Sequence, residues 1–364
     1  DIDIERDLVI FDEIQACPRA LTSLKYFQEK MPRLAICAAG SLLGVYLAPV
    51  SFPVGKVDIL HLYPMSFEEF LLAREDHKSL LVLRDANHLP IPHLAHAHLW
   101  QQLKEYFIVG GLPEVVKTFI KHKDNTFVAF QKVREVQKNL ITSYLGDIAK
   151  HAGSVNAMHI ARIFESIPSQ LARSQDGSAS KYVFKGAVPG IDRYSKLVGA
   201  FDWLEKAGLI IKVPIAHSGQ LPFSAYSEEN VFKLYLFDVG LLGAMSKITP
   251  SMIHDYDYGS YKGFFAENYL AQAFLVNGQL SLYSWQEKTA EVEFLFEQGG
   301  HAIPIEVKSG WVTQAKSVKI FVEKYHSPYY IIFSAKPLSA REHVQRYPLY
   351  LADQFPLDTF PLPE

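Results

Sequence analysis

The chain alternates between short apolar runs and longer stretches in which apolar residues recur every three or four positions. Leu8–Phe11 is a continuous apolar run, the pattern of a strand buried in a parallel sheet. Helical spacing follows over 19–30. A second apolar strand at 34–39 runs into Gly40-Ser41, and a third at 57–62 stops before Pro64. Ser66 and Glu69 form a capping-box pair that opens a helix. Strand, helix, strand, strand with short turns predicts a parallel α/β sheet over 1–72. Residues 73–150 are mostly helical, broken at Gly110-Gly111-Leu112-Pro113, and predict a lid-like bundle. Over 151–250, helices at 159–173 and 191–207 precede paired strands at 209–215 and 231–237. In the second helix Tyr194, Leu197, Val198, Phe201 and Leu204 make one apolar face. Helix, helix, hairpin is the outline of a winged helix. Residues 251–364 read as a last α/β unit: a helix at 263–276, strands at 280–285, 290–296 and 303–307, a helix at 313–325 and a strand at 329–333. A proline-bearing, extended tail follows Gln354.

Composition narrows this only slightly. Hydrophobic content of 49% and charged content of 21% describe a globular chain able to bury real cores. A net charge of −3 gives no global pull toward nucleic acid, so any such binding must come from a local patch. Cys17 and Cys37 form no CxxC pair, which fits a reducing compartment. No apolar run reaches membrane-spanning length and no signal peptide is visible, so a cytoplasmic chain without a membrane partner is expected.

Chemistry enters first at Asp12-Glu13, directly after the first apolar run. Acids at the carboxyl end of a sheet strand suit a nucleotide site. Asp12 would hold Mg²⁺ of a bound ATP through water, and Glu13 would polarise the attacking water. This is the Walker B half of such a site. The other half, Gly-x-x-x-x-Gly-Lys-[Ser/Thr], has no match in the 364 residues; Gly55-Lys56 is followed by Val57 and lacks the leading glycine. With Asp rather than Met at position 1, the expectation is an ATPase whose phosphate-binding loop is lost or left out. The competing reading has both carboxylates capping a helix over 15–24.

The chain resembles the prokaryotic AAA-type ATPases fused to a carboxy-terminal domain of unknown function. The resemblance rests on 8–15, on Gly40-Ser41-Leu42-Leu43, on 62–70, on 106–113, on 144–148, on 262–268 and on 303–310, in that order and spacing. It implies a multidomain α/β fold: a partial P-loop NTPase sheet with a helical lid, a winged helix, and a domain similar to restriction endonucleases. It also implies ATP and Mg²⁺ as cofactors of the complete protein. Ser41 resembles a residue that senses the γ-phosphate, against the plainer reading of a turn residue after glycine. Lys56 stands where the resemblance implies an arginine.

Two further constellations remain. Over 181–212, Lys181, Lys185, Arg193, Lys196, Lys206 and Lys212 face Asp192, Asp202 and Glu205. Lys185, Arg193 and Lys196 are the DNA-contact candidates, Arg193 and Lys196 near the amino end of the would-be recognition helix. The alternative is a structural or protein-docking module, so DNA and a protein are the candidate partners. In the last unit, Glu306-Val307-Lys308 alternates on a strand, as does Glu291-Val292-Glu293-Phe294. Glu293 and Glu306 on adjacent strands are candidate Mg²⁺ ligands, Glu267 on the preceding helix would complete the shell, and Lys308 would orient or deprotonate water for phosphodiester hydrolysis. The endonuclease-like pattern usually carries Asp where Glu293 stands. The plainer reading is a Glu–Lys surface pair. His88, His93, His96 and His98 read as solvated loop residues, and Phe264, Phe265, Tyr269 and Phe274 as core.

Overall fold

The computed structural model describes residues 2–40, 55–87, 90–175, 181–255, 261–278, 281–311 and 315–357. The amino-terminal unit is a strand β1 (Leu8–Phe11), a helix α1 (Pro18–Lys30) and a strand β2 (Ala35–Ala38). β1 and β2 pair in parallel, Leu8 against Ala35 through Phe11 against Ala38. Its small core is Ile14, Leu21 and Leu24, with Phe11, Ile36 and Val57 packed on it. The expected burial of the first strand is not found: Leu8 is 55% and Ile10 63% exposed. The third strand expected at 57–62 does not form either. An extended apolar segment needs a neighbouring strand to satisfy its amides, and residues 58–63 run exposed with no strand beside them among the described residues.

Helices follow: α2 (Phe67–Ala73), α3 (His77–Arg84), α4 (His93–Val109), α5 (Pro113–Lys121), α6 (Thr126–His151) and α7 (Ser154–Gln175). The capping box at α2 is present, Ser66 Oγ accepting from Glu69 N at 3.2 Å and Ser66 N donating to the Glu69 carboxylate at 2.8 Å. Next come α8 (Val198–Lys206), β3 (Ile210–Ala216), β4 (Ser227–Leu236), α9 (Val239–Met245), α10 (Pro250–His254) and α11 (Tyr261–Asn277). The chain then forms β5 (Tyr283–Glu287), β6 (Ala290–Gln298), β7 (His301–Val307), α12 (Lys316–Tyr325), β8 (Tyr330–Ser334), β9 (Ser339–Arg341) and β10 (Val344–Pro348).

The strands after residue 209 make one mixed eight-stranded sheet, ordered β4-β3-β5-β6-β7-β8-β10-β9. The β3–β4 hairpin is therefore not a free wing, because β3 also pairs in parallel with β5. A single apolar core runs from Phe67 to Leu357, taking in helices α2 to α11 and one face of this sheet. A second, smaller core lies under α12 on the other face. The boundaries expected near 150 and 250 thus divide neither core nor sheet.

One close contact shows how the helices lock. Gly111 N donates to Asp238 Oδ2 at 2.7 Å, and Met65 N donates to Gly111 O at 2.7 Å. A Cβ at Gly110 would overlap the Asp238 carboxylate, and one at Gly111 would overlap the Met65 carbonyl. Glycine is required at both positions because backbone and carboxylate already fill the space.

Candidate functional site

At the amino-terminal unit, Asp12 and Glu13 occupy the turn after β1, at the carboxyl end of the parallel pair, as the sequence predicts. Both are exposed. Their charge therefore meets water, and burial creates no demand for a cation there. Glu13 adopts left-handed backbone (φ 48°), and its carboxylate accepts from the Gln15 side-chain amide; Asp12 Oδ1 accepts from Glu13 N at 3.0 Å. Neither carboxylate caps a helix: Glu13 stands at the cap position of a 3₁₀ turn over Ile14–Ala16 without a side-chain cap bond, and α1 begins with Cys17 as its cap residue and Pro18 inside its first turn. Lys56 pairs with Glu29 at 3.8 Å. Ser41 lies outside the described residues.

The basic segment departs from its expected geometry. Gly190 (φ 77°) and a bridge between Val188 and Ile191 hold the chain in a turn, and only a 3₁₀ turn at Tyr194–Lys196 precedes α8. The helix expected from 191 thus begins at Val198, and Arg193 and Lys196 stand before it, off any recognition helix. Leu197, Phe201 and Leu204 are buried as expected. Lys185, Arg193 and Lys196 are exposed. Lys212 instead lies over the rings of Phe232, at 4.9 Å, and Tyr194, at 5.5 Å. Arg193 borders an open cleft of about 470 Å³ that Asp192 and Glu229 also line, so phosphate would meet both signs of charge.

The third group comes together. β5 and β6 fall out of register between Tyr283 and Trp285, where three steps along β6 (Val292 to Leu295) oppose two along β5. Val292 and Leu295 face the smaller core while Phe294 faces the larger, so the extra residue falls at Glu293–Phe294. A bulge of this kind re-aims a side chain. Here it leaves Glu293 Oε2 accepting from Val307 N on β7, at 3.3 Å. On β7, Ile303, Ile305 and Val307 fill the larger core, while Glu306 and Lys308 point the other way and form an ion pair. Glu306 is only 5% exposed, which removes the surface-pair reading.

Glu267 on α11 is buried. It accepts from Tyr235 Oη at 2.9 Å and pairs with Lys233 Nζ at 3.5 Å; Lys233 also pairs with Glu291. Burial, then the charge of Glu306, pushes the Glu293 carboxyl well above the usual carboxylate range. Burial raises Glu306 too, against the pull of Lys308. Lys308 and Lys233 are both held above the ordinary lysine range by these carboxylates, against desolvation. Glu306 Oε2 is buried and takes no N–H or hydroxyl donor, and a hydrogen bond between the two carboxyl groups joins Glu306 to Glu293. Among the described residues no three His, Cys, Asp or Glu side chains gather closely enough to hold a metal ion. The expected three-carboxylate shell is therefore not assembled, because Lys233 and Tyr235 engage Glu267. What remains is two hard oxygen ligands, Glu293 and Glu306, hydrogen-bonded to each other. That donor set fits Mg²⁺, which takes one or two carboxylates and keeps several waters.

Sequence reasoning missed Lys233 and Tyr235. Their signal is a lysine inside the apolar run Val231-Phe232-Lys233-Leu234-Tyr235-Leu236-Phe237, where an unpaired cation could not survive burial. The histidine run also differs from expectation. His93 opens α4, His96 is buried with Nδ1 2.8 Å from Tyr350 Oη, and His98 meets Asp76 at 2.9 Å; His88 lies outside the described residues. Phe264, Phe265, Tyr269 and Phe274 are buried in the core.

Residues 2–71 match the family model of an AAA domain. Residues 100–252 match a domain of unknown function, DUF8612, and residues 262–351 a second, DUF4143. No curated protein matches the chain. An AAA-type segment is thus joined to two domains of unknown function, and among the described residues no helix is long and apolar enough to cross a membrane.

Proposed function

We propose that this chain works in an AAA-type ATPase-like protein, its amino-terminal unit contributing the acidic half of a magnesium–nucleotide site. The observation that carries this reading is the AAA match over 2–71 together with Asp12 and Glu13 at the carboxyl end of a parallel pair. Both acids are open to solvent, Asp12 able to hold hydrated Mg²⁺ and Glu13 to direct water. A bound Mg²⁺–ATP would supply the phosphoanhydride and the charge that these acids answer. The 364 residues contain no phosphate-binding loop, so ATP should not raise their thermal midpoint. In a chain that carries these residues behind such a loop, Glu13→Gln should keep nucleotide binding and slow hydrolysis by about 100-fold. Undiminished turnover in that variant, or a clear ATP-dependent shift of the 364 residues, refutes the assignment.

A second reading is favoured by the buried Glu293–Glu306 pair, two carboxyl groups side by side with Lys308 on one of them. It is a divalent-metal centre for phosphodiester hydrolysis, with Glu293 and Glu306 as ligands and Lys308 directing water. Bound Mg²⁺ would supply the Lewis acid. DNA is the substrate class, and the exposed Lys185, Arg193 and Lys196 are its candidate contacts. Plasmid nicking with Mg²⁺ or Mn²⁺, lost by about 100-fold or more in Lys308→Ala, is the expected result. Nicking unaffected by that substitution would assign the cleavage to something else.

A further inference from the structure

Lys233 is the unexplained member of the buried cluster. It sits on β4, the edge strand of the sheet, and is 4% exposed, yet its ammonium reaches Glu267 on α11 and Glu291 on β6. It reaches β6 across a thin seam, since β3 and β5 register at only two positions, Ile215 with Ser284 and Ala216 with Trp285. The four carboxylates therefore divide. Glu267 and Glu291 share Lys233, with Tyr235 Oη also donating to Glu267 Oε2 at 2.9 Å. Glu293 and Glu306 keep Lys308, a backbone N–H and a hydrogen bond to each other, and neither touches Lys233 in an ion pair. A buried ammonium placed between two carboxylates cannot share that space with a divalent cation without strong repulsion.

We propose that Lys233 is a built-in monovalent cation that closes the Glu267–Glu291 side of the cluster, so that the centre takes one divalent ion, on Glu293 and Glu306, rather than two. Lys233 is on this account a positioning residue. It keeps Glu267 and Glu291 from competing for the ion and holds α11 and β4 against β6 around the open pair. The inference rests on the second reading above.

The test is Mn²⁺ binding to the full chain, followed by the electron spin resonance of free Mn²⁺ and by calorimetry. Wild type should bind one ion per chain. Glu306→Gln should weaken it by about tenfold or more, while Glu291→Gln, at the partly exposed end of the cluster, should leave the affinity within about threefold. Lys233→Met, where it folds, should open a second ion site. Two ions on the wild type, or a loss in Glu291→Gln equal to that in Glu306→Gln, would overturn the role given to Lys233 and leave the metal reading standing. No Mn²⁺ on the wild type would overturn both. The wild-type and glutamine arms decide the matter even if Lys233→Met does not fold.

Discussion

At the scale of single residues, acids held at high proton affinity set the pH behaviour of this molecule. Asp353 accepts from Glu68 N at 3.1 Å at the start of α2, and burial pushes its carboxyl up to about 7. Asp238, held between Gly111 and Leu241, is pushed to about 6 by burial. In both cases the folded form binds its proton more tightly than the unfolded chain does. Each contribution is thus fully present below about pH 4 and is lost as pH rises through about 7 for Asp353 and about 6 for Asp238. Glu293 and Glu306 act in the same direction. His96, whose pKa burial lowers, acts in the opposite one. Acidifying from about pH 8 to about pH 5.5 should therefore raise the thermal midpoint by about 2 °C or more, and Asp353→Asn should flatten that rise. A midpoint that falls over the same range in wild type, measured by circular dichroism, contradicts this balance.

At the scale of elements, what the sequence discloses depends on whether one segment carries the whole signal. The capping box at Ser66 and Glu69, the break at Gly110-Gly111 and the alternation of Glu306-Val307-Lys308 are local patterns, and each appears where it is expected. The 57–62 segment has the composition of a strand and, among the described residues, no strand beside it, a fact that lies in its neighbours. The helix beginning at Val198 instead of 191 depends on Gly190 and the Val188–Ile191 bridge, which apolar spacing does not record. Glu293 could be named from its strand, but the bulge that aims it at β7 emerges only from the register with β5. Lys233 and Glu267 lie 34 positions apart in sequence, and only the folding of β4 against α11 joins them. The short strands β9 and β10 carry no local signal, because the turn at Glu342-His343 leaves only three and five residues in them and β10 is stabilised by pairing with β8.

At the scale of the whole molecule, the lid, the helix–hairpin segment and the carboxy-terminal sheet share one core, while the amino-terminal unit has its own. Between them run residues 58–63, with Leu60 92% and Leu62 100% exposed. A protease that prefers apolar sites, such as thermolysin, should cut here first and release a body that stays a single species in gel filtration, even where its surface loops are nicked. Separation of 73–150 or 251–357 as independently folded pieces would show that the common core does not bind them. The exposed stretch has a mechanical corollary. A leash without packing transmits a pull far better than a push or a twist. A change of shape at Asp12 and Glu13 could then be felt by the larger body chiefly as tension on the residues leading into Met65, where the chain is clamped against Gly111.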